Sequence, residues 1–502
     1  MKRVRSLFGL LTCLVLTCPA YAHIGSKDVY EQVNAGPYKL FVTIRTPNVI
    51  PGVASIEVRS SGAPITSMHI TPTPLTGEAS KHPPSSDAMH ASTADPAFFT
   101  GSLWLMDPGS WEVHFDLEGA AGKVSTSIPV AAMPLSILPM QRSLGVTLAL
   151  LGILLVLGST GIVAAAVGQS RLEPGLSPNP SQRRRALFAG VATLAVASLV
   201  VYGGYKWWNL EGAAYAADIY HPLDLDPKLT GNTLDLRIGK YDTETHTFEA
   251  RSNADLLPDH GHLMHLYAIR QPGMDAVFHL HPARVSDKHL RMTLPSMPPG
   301  TYRLYGDIVH ANGFPETLTA ELTIPPGMPP APLAPEDASG APPALSQGEL
   351  GTTYKLPDGY TMQWDRPAEL SANTAYAFRF RLVNASGQPA SDARPYLGMA
   401  GHAAFVKTDG TVFAHTHPEG SAAMQAMMLA NGGEMADSSG MGGMDGGGMD
   451  VAGAVPSAAA TETISPMVEF PYGFPSPGRY RIFIQMKHAN TVETGVFDAV
   501  VH

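Results

Sequence analysis

One order of histidines occurs twice in the second half of the chain. Each copy has a single histidine, a His-x-His-Pro segment, a Pro-Gly-x-Tyr-Arg turn and a closing His-Ala-Asn segment. The closing histidine lies ten residues after the glycine of the turn in both copies. The first copy comprises His265, His279, His281 and His310, and the second comprises His402, His415, His417 and His488. Because imidazole is the commonest metal ligand in proteins, the repeat predicts metal binding.

The spacing of these histidines suggests how they could meet. Residues two apart on a strand point to the same face, so each His-x-His segment presents two imidazoles about 6.5–7 Å apart at the backbone. His310 continues the parity of Tyr302, Leu304, Gly306 and Ile308, and His488 continues the parity of Tyr480, Ile482, Ile484 and Met486. We therefore expect each closing histidine to complete a site at the rim of its sheet, with His265 or His402 as a fourth ligand. Hydrogen bonding of these histidines to loop carbonyls is the alternative interpretation.

An earlier part of the chain has the same turn without the histidines. Pro108-Gly109-Ser110-Trp111 matches the two later turns, but Gly119 stands ten residues after Gly109. The turn therefore does not require the imidazoles. His260 and His262 could add ligands to the first copy, and the second copy has no histidine at the equivalent positions.

The second copy also carries a methionine-rich insertion. His281 and His310 are 29 residues apart, whereas His417 and His488 are 71 residues apart. The longer segment contains Met424, Met427, Met428, Met435, Met441, Met444 and Met449 among glycine, alanine and aspartate residues. Imidazole suits copper, zinc and nickel, and thioether sulfur favours Cu(I). The sequence thus predicts two sites of unequal chemistry, with copper as the main candidate, zinc as a possible metal and the second copy as the better copper site. A low-complexity linker with incidental methionines is the alternative.

The ends and the apolar segments predict export and a membrane anchor. Residues 1–22 have a basic start, an apolar stretch and a small-residue cleavage site, as in a secretory signal peptide. Both cysteines, Cys13 and Cys18, lie within it, and a lipid-attachment site at Cys18 is the weaker alternative. Cleavage of the signal peptide after Ala22 would make His23 the first residue, with its α-amine and imidazole able to chelate Cu(II) together. The mature chain would contain no cysteine, which excludes disulfides and thiolate ligands.

Two uncharged stretches are long enough to span a bilayer. We predict transmembrane helices at residues 144–168 and 186–205, joined by a loop at 169–185 that contains four arginines. The positive-inside rule places this loop in the cytoplasm and both flanking regions outside it. The expected location is the inner membrane of a bacterium, with the N- and C-terminal domains in the periplasm. The net charge of −10 over 502 residues argues against a nucleic-acid partner.

Alternating apolar residues with Gly/Pro punctuation predict a mainly β chain. We expect three immunoglobulin-like β-sandwich domains with the two-helix transmembrane hairpin between the first and the second. The predicted bounds are 23–137, 220–325 and 350–502, with a semi-rigid Pro/Ala linker at 326–349.

Two segments carry a resemblance to known families. Residues 405–418 (FVKTDGTVFAHTHP) and 474–482 (FPSPGRYRI) resemble the YtkA-like exported β-sandwich domains of bacterial membrane and metal-handling proteins. That family has no firm common activity. His23 and the methionine-rich insertion are similar to CopC-type periplasmic copper-binding proteins, and this likeness implies a copper ligand only at His23.

These observations favour a membrane-anchored periplasmic protein that binds, delivers or confers resistance to copper, with a periplasmic or membrane metal-handling protein as its partner. A copper oxidoreductase is one alternative, although the sequence shows no nucleophile motif, phosphate-binding loop or paired carboxylates, so we do not expect an enzyme. A structural module that docks a membrane partner without metal is the other.

Overall fold

The computed structural model describes residues 23–25, 27–170, 172–173, 175–432 and 463–502. The predicted signal peptide at 1–22 therefore lies outside the described residues. The chain divides into two compact units. The larger unit combines the residues up to Ala132 with His221–His502, and the smaller unit is Met133–Tyr220.

The first β region packs two sheets around one core. After β1 (His23–Ile24), its strands are β2 (Val29–Ala35), β3 (Tyr38–Arg45), β4 (Gly52–Gly62), β5 (Ile65–Pro74), β6 (Asp87–Ala88), β7 (His90–Ala91), β8 (Phe98–Leu105), β9 (Gly109–Gly119) and β10 (Gly122–Ala132). The sheet orders are β2-β3-β4-β8-β7 and β10-β9-β5-β6. Alternate residues such as Leu40, Val42 and Ile44 are buried between the two sheets, as the period-2 pattern predicts.

The second β region also has two sheets. Its strands are β11 (Asp224–Thr230), β12 (Thr233–Asp242), β13 (Thr247–Ala250), β14 (Leu256–Leu257), β15 (His265–Arg270), β16 (Val277–Leu280), β17 (Ala283–Ser286), β18 (His289–Thr293), β19 (Gly300–His310), β20 (Pro315–Ile324) and β21 (Ala338–Gly340). One sheet has the order β11-β12-β18-β17 and the other β14-β19-β15-β16-β21, with β20 beside β19. The predicted linker at 326–349 thus contributes a strand, because β21 pairs with β16.

The third β region repeats this plan. Its strands are β22 (Thr353–Lys355), β23 (Thr361–Asp365), β24 (Ala375–Val383), β25 (Ala393–Arg394), β26 (His402–Lys407), β27 (Val412–Thr416), β28 (Met467–Gly473), β29 (Gly478–His488) and β30 (Thr491–Val501). One sheet has the order β22-β23-β24-β28, and the other β1-β27-β26-β29-β25 with β30 beside β29. A short helix, α3 (Met424–Ala430), follows β27. The prediction of a mainly β chain is confirmed.

Two of these sheets are buried on both faces. In β15, Leu266 and Ala268 face the core of their own region, whereas Tyr267 and Ile269 join a separate apolar cluster. That cluster also contains Ala404, Val406, Phe413 and Phe483 from the third region. The second and third β regions therefore pack sheet against sheet through the faces that point away from their own cores.

A buried arginine ties this packing together. The Arg481 guanidinium donates to both carboxylate oxygens of Asp498 (2.8 and 2.9 Å) and to the carbonyls of Met274 (3.0 Å) and Pro343 (2.9 Å). Its side chain is fully buried. One residue of β29 thus holds its own sheet, a loop of the second region and the connecting segment.

We expect Arg481→Ala to destabilise the protein by about 3–5 kcal/mol, because it leaves the Asp498 carboxylate buried without its cation. Arg479→Ala is the matched control on the same strand, because the Arg479 side chain is half exposed beside Glu349. An exposed pair contributes about 0–1 kcal/mol. Denaturant unfolding of the full chain in detergent measures both variants, and equal losses would contradict this role of Arg481.

The smaller unit is a helical hairpin. It contains α1 (Arg142–Gln169) and α2 (Pro180–Ala217), both long and apolar enough to cross a membrane. The helices extend beyond the predicted 144–168 and 186–205. The Asn179 side chain accepts from the backbone of Gln182 and begins α2 as a capping box, which explains its earlier start. Small residues allow close approach, since a Cβ at Gly168 would lie 3.0 Å from that of Ala186.

Candidate metal centre

Histidines from both repeats meet where the second and third β regions pack together. His265 and His279 share the parity of the interface residues Tyr267 and Val277. His402 and His415 share that of Ala404 and Phe413 in the same way. Eight imidazoles collect there: His260, His262, His265, His279, His281, His402, His415 and His417. The two predicted sets are therefore neighbours at one interface rather than two remote sites.

Three of these histidines form the first triad, namely His265, His279 and His281. Nδ1 of His265 lies 3.1 Å from Nε2 of His279 and 3.3 Å from Nε2 of His281. Nitrogens around one tetrahedral ion lie roughly 3.3 Å apart when each metal–nitrogen bond is about 2.0–2.1 Å. The observed separations match that spacing.

The outer contacts of the first triad determine which ring nitrogens carry protons. The Nε2–H of His265 donates to the carbonyl oxygen of Asp259 (3.0 Å). The Nδ1–H of His279 donates to Oε1 of Gln485 (2.8 Å), and that of His281 donates to Oδ1 of Asp337 (3.0 Å). A neutral imidazole has one N–H, so the three inward nitrogens all present lone pairs. Lone pairs that converge at this distance repel one another unless a cation lies between them.

Burial keeps these rings neutral. It lowers the pKa of His265, His279 and His281 well below the usual range, and the neighbouring imidazoles lower it further. Burial raises the pKa of Asp337 to about 6, although the hydrogen bond from the backbone N–H of His281 lowers it. This carboxylate is therefore ionised at neutral pH. A carboxylate behind a ligating histidine fixes its orientation and raises its basicity. The first triad could therefore hold a metal ion.

The second triad draws on both β regions. It comprises His260 from the second region with His402 and His417 from the third, and one ligand atom of each lies within 4.8 Å of the other two. Among the described residues, neither ring nitrogen of His402 has a hydrogen-bond partner, and Nε2 of His260 has none. Burial lowers the pKa of all three rings. Unpaired buried nitrogens are costly, and a shared metal ion would satisfy them.

A tight turn places His260 in the second triad. Asp259 and His262 pair across the turn, and His260 and Gly261 have φ values of 49° and 85°. Histidine is among the residues that tolerate this left-handed conformation best. In the third region Leu397 and Gly398 occupy the equivalent turn, with φ values of 52° and 82°. The backbone of the turn is thus repeated, but only one copy supplies an imidazole.

Reciprocal contacts orient the first histidine of each His-x-His segment. His279 in the second region is bound by Gln485 of the third, and His415 of the third lies 3.3 Å from Asp307 of the second. Gln485 and Asp307 are equivalent, because each lies seven residues after the glycine of its turn and pairs with the first histidine of its repeat. Nε2 of His415 has no partner in the described part of the chain. Each region therefore orients one histidine of the other, although His415 itself belongs to neither triad.

His262 lies nearest to solvent. Its ring stacks on His281 with centroids 4.1 Å apart, and its Nε2 lies 3.2 Å from the Glu336 carboxylate. The His262 side chain is 20% exposed and that of Glu336 is 62% exposed, whereas His279 is fully buried. The exposed carboxylate of Glu336 and the partly exposed imidazole of His262 thus lie between solvent and the first triad.

The structure does not bring His310 and His488 to the clustered histidines that they were predicted to join. Both side chains lie on the core-facing side of their strands, the parity of Ile308 and Met486, whereas the clustered histidines lie on the opposite face. Nδ1 of His310 bonds Asp255 (3.0 Å) and its Nε2 bonds Glu316 (2.9 Å). Nε2 of His488 lies 2.7 Å from Asp358. Residues of opposite parity cannot share a site across one sheet.

We expect His310 to stabilise the fold most at acid pH. Burial lowers its pKa, but hydrogen bonds and charges from Glu316 and Asp255 outweigh burial and raise it. A raised folded-state pKa stabilises below the unfolded pKa of about 6.5, and this contribution is lost as pH rises through the folded value. His310→Gln should destabilise by roughly 2 kcal/mol at pH 5.5 and by less at pH 8.5. Urea unfolding at both pH values checks this, and a larger loss at pH 8.5 would contradict it.

The predicted methionine ligands divide between α3 and the rest of the insertion. Met424, Met427 and Met428 lie on α3, and Ala426 of this helix packs against Val309. Met435, Met441, Met444 and Met449 lie outside the described residues. Of the predicted amino-terminal site only the backbone of His23 is described, where it pairs with Val412. Copper binding by these residues stays a prediction.

Comparison with known proteins gives one family and distant folds. A family model described as a domain of unknown function, DUF8832, matches residues 227–325 and 353–502, just under half of the chain and the two regions that carry the histidines. No curated protein matches the sequence. Among solved structures, the chain is similar to Salmonella alpha-2-macroglobulin (10% identity, 97% of this chain and 24% of that chain, TM-score 0.22). It thus spans about a quarter of the length of that protein.

Two further solved structures are similar at the same level. One is a tetra-tandem repeat in the extending region of a large adhesion protein (9% identity, 91% of this chain and 72% of that chain, TM-score 0.15). The other is a putative membrane anchored protein from Corynebacterium diphtheriae (8% identity, 94% of each chain, TM-score 0.14). TM-scores this low transfer no function.

Proposed function

We propose that this protein is a membrane-anchored metal-binding protein that holds two transition-metal ions between its second and third β regions. The observation that carries the proposal is the first triad, in which three unprotonated imidazole nitrogens face one another at 3.1 and 3.3 Å. Imidazole ligands suit copper and zinc, and we assign copper as the main metal and zinc as the second candidate.

The proposal places the β regions outside the cytoplasm. The two apolar helices anchor the chain in a bacterial inner membrane, and the arginine-rich loop between them faces the cytoplasm. The three β regions are then immunoglobulin-like sandwiches in the periplasm, a compartment in which exported proteins meet metal ions. A periplasmic or membrane metal-handling protein would be the partner in transfer.

Burial favours holding or transfer of the metal over catalysis. His279 and His402 are fully buried. A catalytic metal needs an open coordination position and access for a substrate. His262 and Glu336 would instead serve as the entrance through which an ion reaches the first triad.

Metal titration of the full chain in detergent tests this function. The protein is loaded separately with Cu(I), Cu(II) and Zn(II), dialysed against a weak chelator, and analysed for metal per chain. We expect two bound ions for copper. Less than one ion per chain with each of the three metals would overturn the proposal.

A further inference from the structure

A second kind of polar cluster lies at the rim of both repeated β regions, away from the two triads. In each region the closing histidine of the repeat lies near an aspartate that directly precedes the short neighbouring strand and near a glutamate from the next strand. The equivalent residues are His310, Asp255 and Glu316 in the second region, and His488, Asp392 and Glu493 in the third. The two clusters are built from equivalent residues of the repeat, but different side chains surround them.

The rim of the second region is a complete hydrogen-bonded network. Both nitrogens of His310 bond carboxylates, and Arg251 pairs with Asp255. Glu316 also accepts from the backbone N–H of Leu223 (2.8 Å). One arginine and one histidine thus face two carboxylates, and this rim is a structural network.

The rim of the third region has a different charge pattern. Arg251 lies four residues before Asp255, and the residue four before Asp392 is the uncharged Gln388. Asp358 adds a carboxylate, with one oxygen 2.7 Å from Nε2 of His488. Asp392 approaches Nδ1 of the same ring to 3.4 Å. Three carboxylates therefore surround one imidazole.

The ring of His488 is held in place but is not hydrogen-bonded. Its side chain is 7% exposed, and Tyr360 stacks on it with centroids 4.0 Å apart. Despite the nearby carboxylates, neither ring nitrogen forms a hydrogen bond with any described residue. The oxygens lie close to the nitrogens but off the N–H directions. Ligands that converge on a common ion have this arrangement, because their lone pairs point to the ion rather than to one another.

We propose that Asp358, His488 and Glu493 form a third metal site, for a divalent cation of the Mn²⁺ or Zn²⁺ class, with Asp392 beside it. One ligand atom of each of the first three lies within 4.8 Å of the other two. Carboxylate oxygen with a single imidazole suits harder divalent ions and disfavours Cu(I), in contrast to the all-imidazole triads. Tyr360 positions the site, since its hydroxyl donates to Asp392 (3.3 Å) while its ring covers His488.

Mn²⁺ binding to the full chain in detergent, followed by electron paramagnetic resonance, tests the site. We expect one Mn²⁺ per chain with the triads empty or loaded with Cu(I). Asp358→Asn and Glu493→Gln should each weaken Mn²⁺ binding at least tenfold. Glu316→Gln, the matched change at the rim of the second region, should leave it unchanged.

Two results would overturn the proposal. The first is the absence of Mn²⁺ binding by the folded wild-type protein, and the second is binding that persists unchanged in both Asp358→Asn and Glu493→Gln. Circular dichroism checks that each variant is folded, and His488→Gln, which keeps an uncharged polar side chain, replaces any variant that is not. Because Mn²⁺ does not compete for Cu(I) ligands, failure of copper binding at the triads leaves this test intact.

Discussion

Replacement of His279 and His281 together by alanine is expected to reduce bound Cu(I) from two ions per chain to one. The pair supplies two of the three inward nitrogens of the first triad, and their spacing from His265 is that of a tetrahedral site. One remaining imidazole cannot retain Cu(I) against a competing chelator. Metal analysis after dialysis with a chromogenic Cu(I) chelator measures the loss.

The second triad provides the complementary pair. His402→Ala with His417→Ala should likewise remove one ion, and all four substitutions together should remove both. His310→Ala is the control, because His310 lies on the other face of β19 and contacts Asp255 and Glu316. Retention of two ions in the fourfold variant would show that copper binds elsewhere.

Removal of metal is expected to lower the thermal stability of the larger unit, because the second triad joins residues of two β regions. A ligand at 100 times its dissociation constant stabilises the folded state by about 2.7 kcal/mol. At about 2.1 cal/mol/K of unfolding entropy per residue, a unit of this size shifts by roughly 3 °C in Tm per site. Differential scanning fluorimetry of copper-loaded and chelator-treated protein measures the shift.

His260→Ala separates the two contributions to this shift. The substitution removes the only ligand that the second region gives to the second triad, while the first triad keeps all three of its own. We expect the variant to retain about half of the metal-induced stabilisation. Leu397→Ala, at the equivalent turn position, should leave the metal-induced part unchanged. Equal metal-induced shifts in wild type and His260→Ala would contradict the role of this histidine across the interface.

The sequence predicted the repeated histidines but not the face of the sheet on which they lie. The His-x-His segments identified His279, His281, His415 and His417, and the period-2 rule placed each pair together. The predicted place of His310 followed the inward stripe of β19, whereas the clustered histidines lie on the opposite face of the sheet. Segments such as Ala403–Val406 are apolar at every position. Uninterrupted apolar strands indicate burial on both faces, and this signal could have revealed the interface.

The orienting residues could not be predicted from one chain. Asp337 lies in a Pro/Ala-rich segment that has the composition of a spacer, and its role depends on β21 pairing with β16. Gln485 is one polar residue in an apolar strand, and its partner His279 is 206 residues away. Such contacts depend on how two sheets pack, which local patterns do not encode. The place of His260 could not be predicted either, because it lies beside His402 and His417 of the third region.

The reciprocal contacts of His279 with Gln485 and of His415 with Asp307 have a consequence for how the two sites can differ. An exchange of equivalent residues across an interface is the pattern of a symmetric homodimer, here contained in one polypeptide. In a homodimer any substitution alters both sites at once. Covalent fusion removes that constraint, so one turn can carry His260 while the equivalent turn carries Leu397. It also keeps the halves together at any dilution, so that the two dissimilar histidine triads remain neighbours even when the protein is scarce.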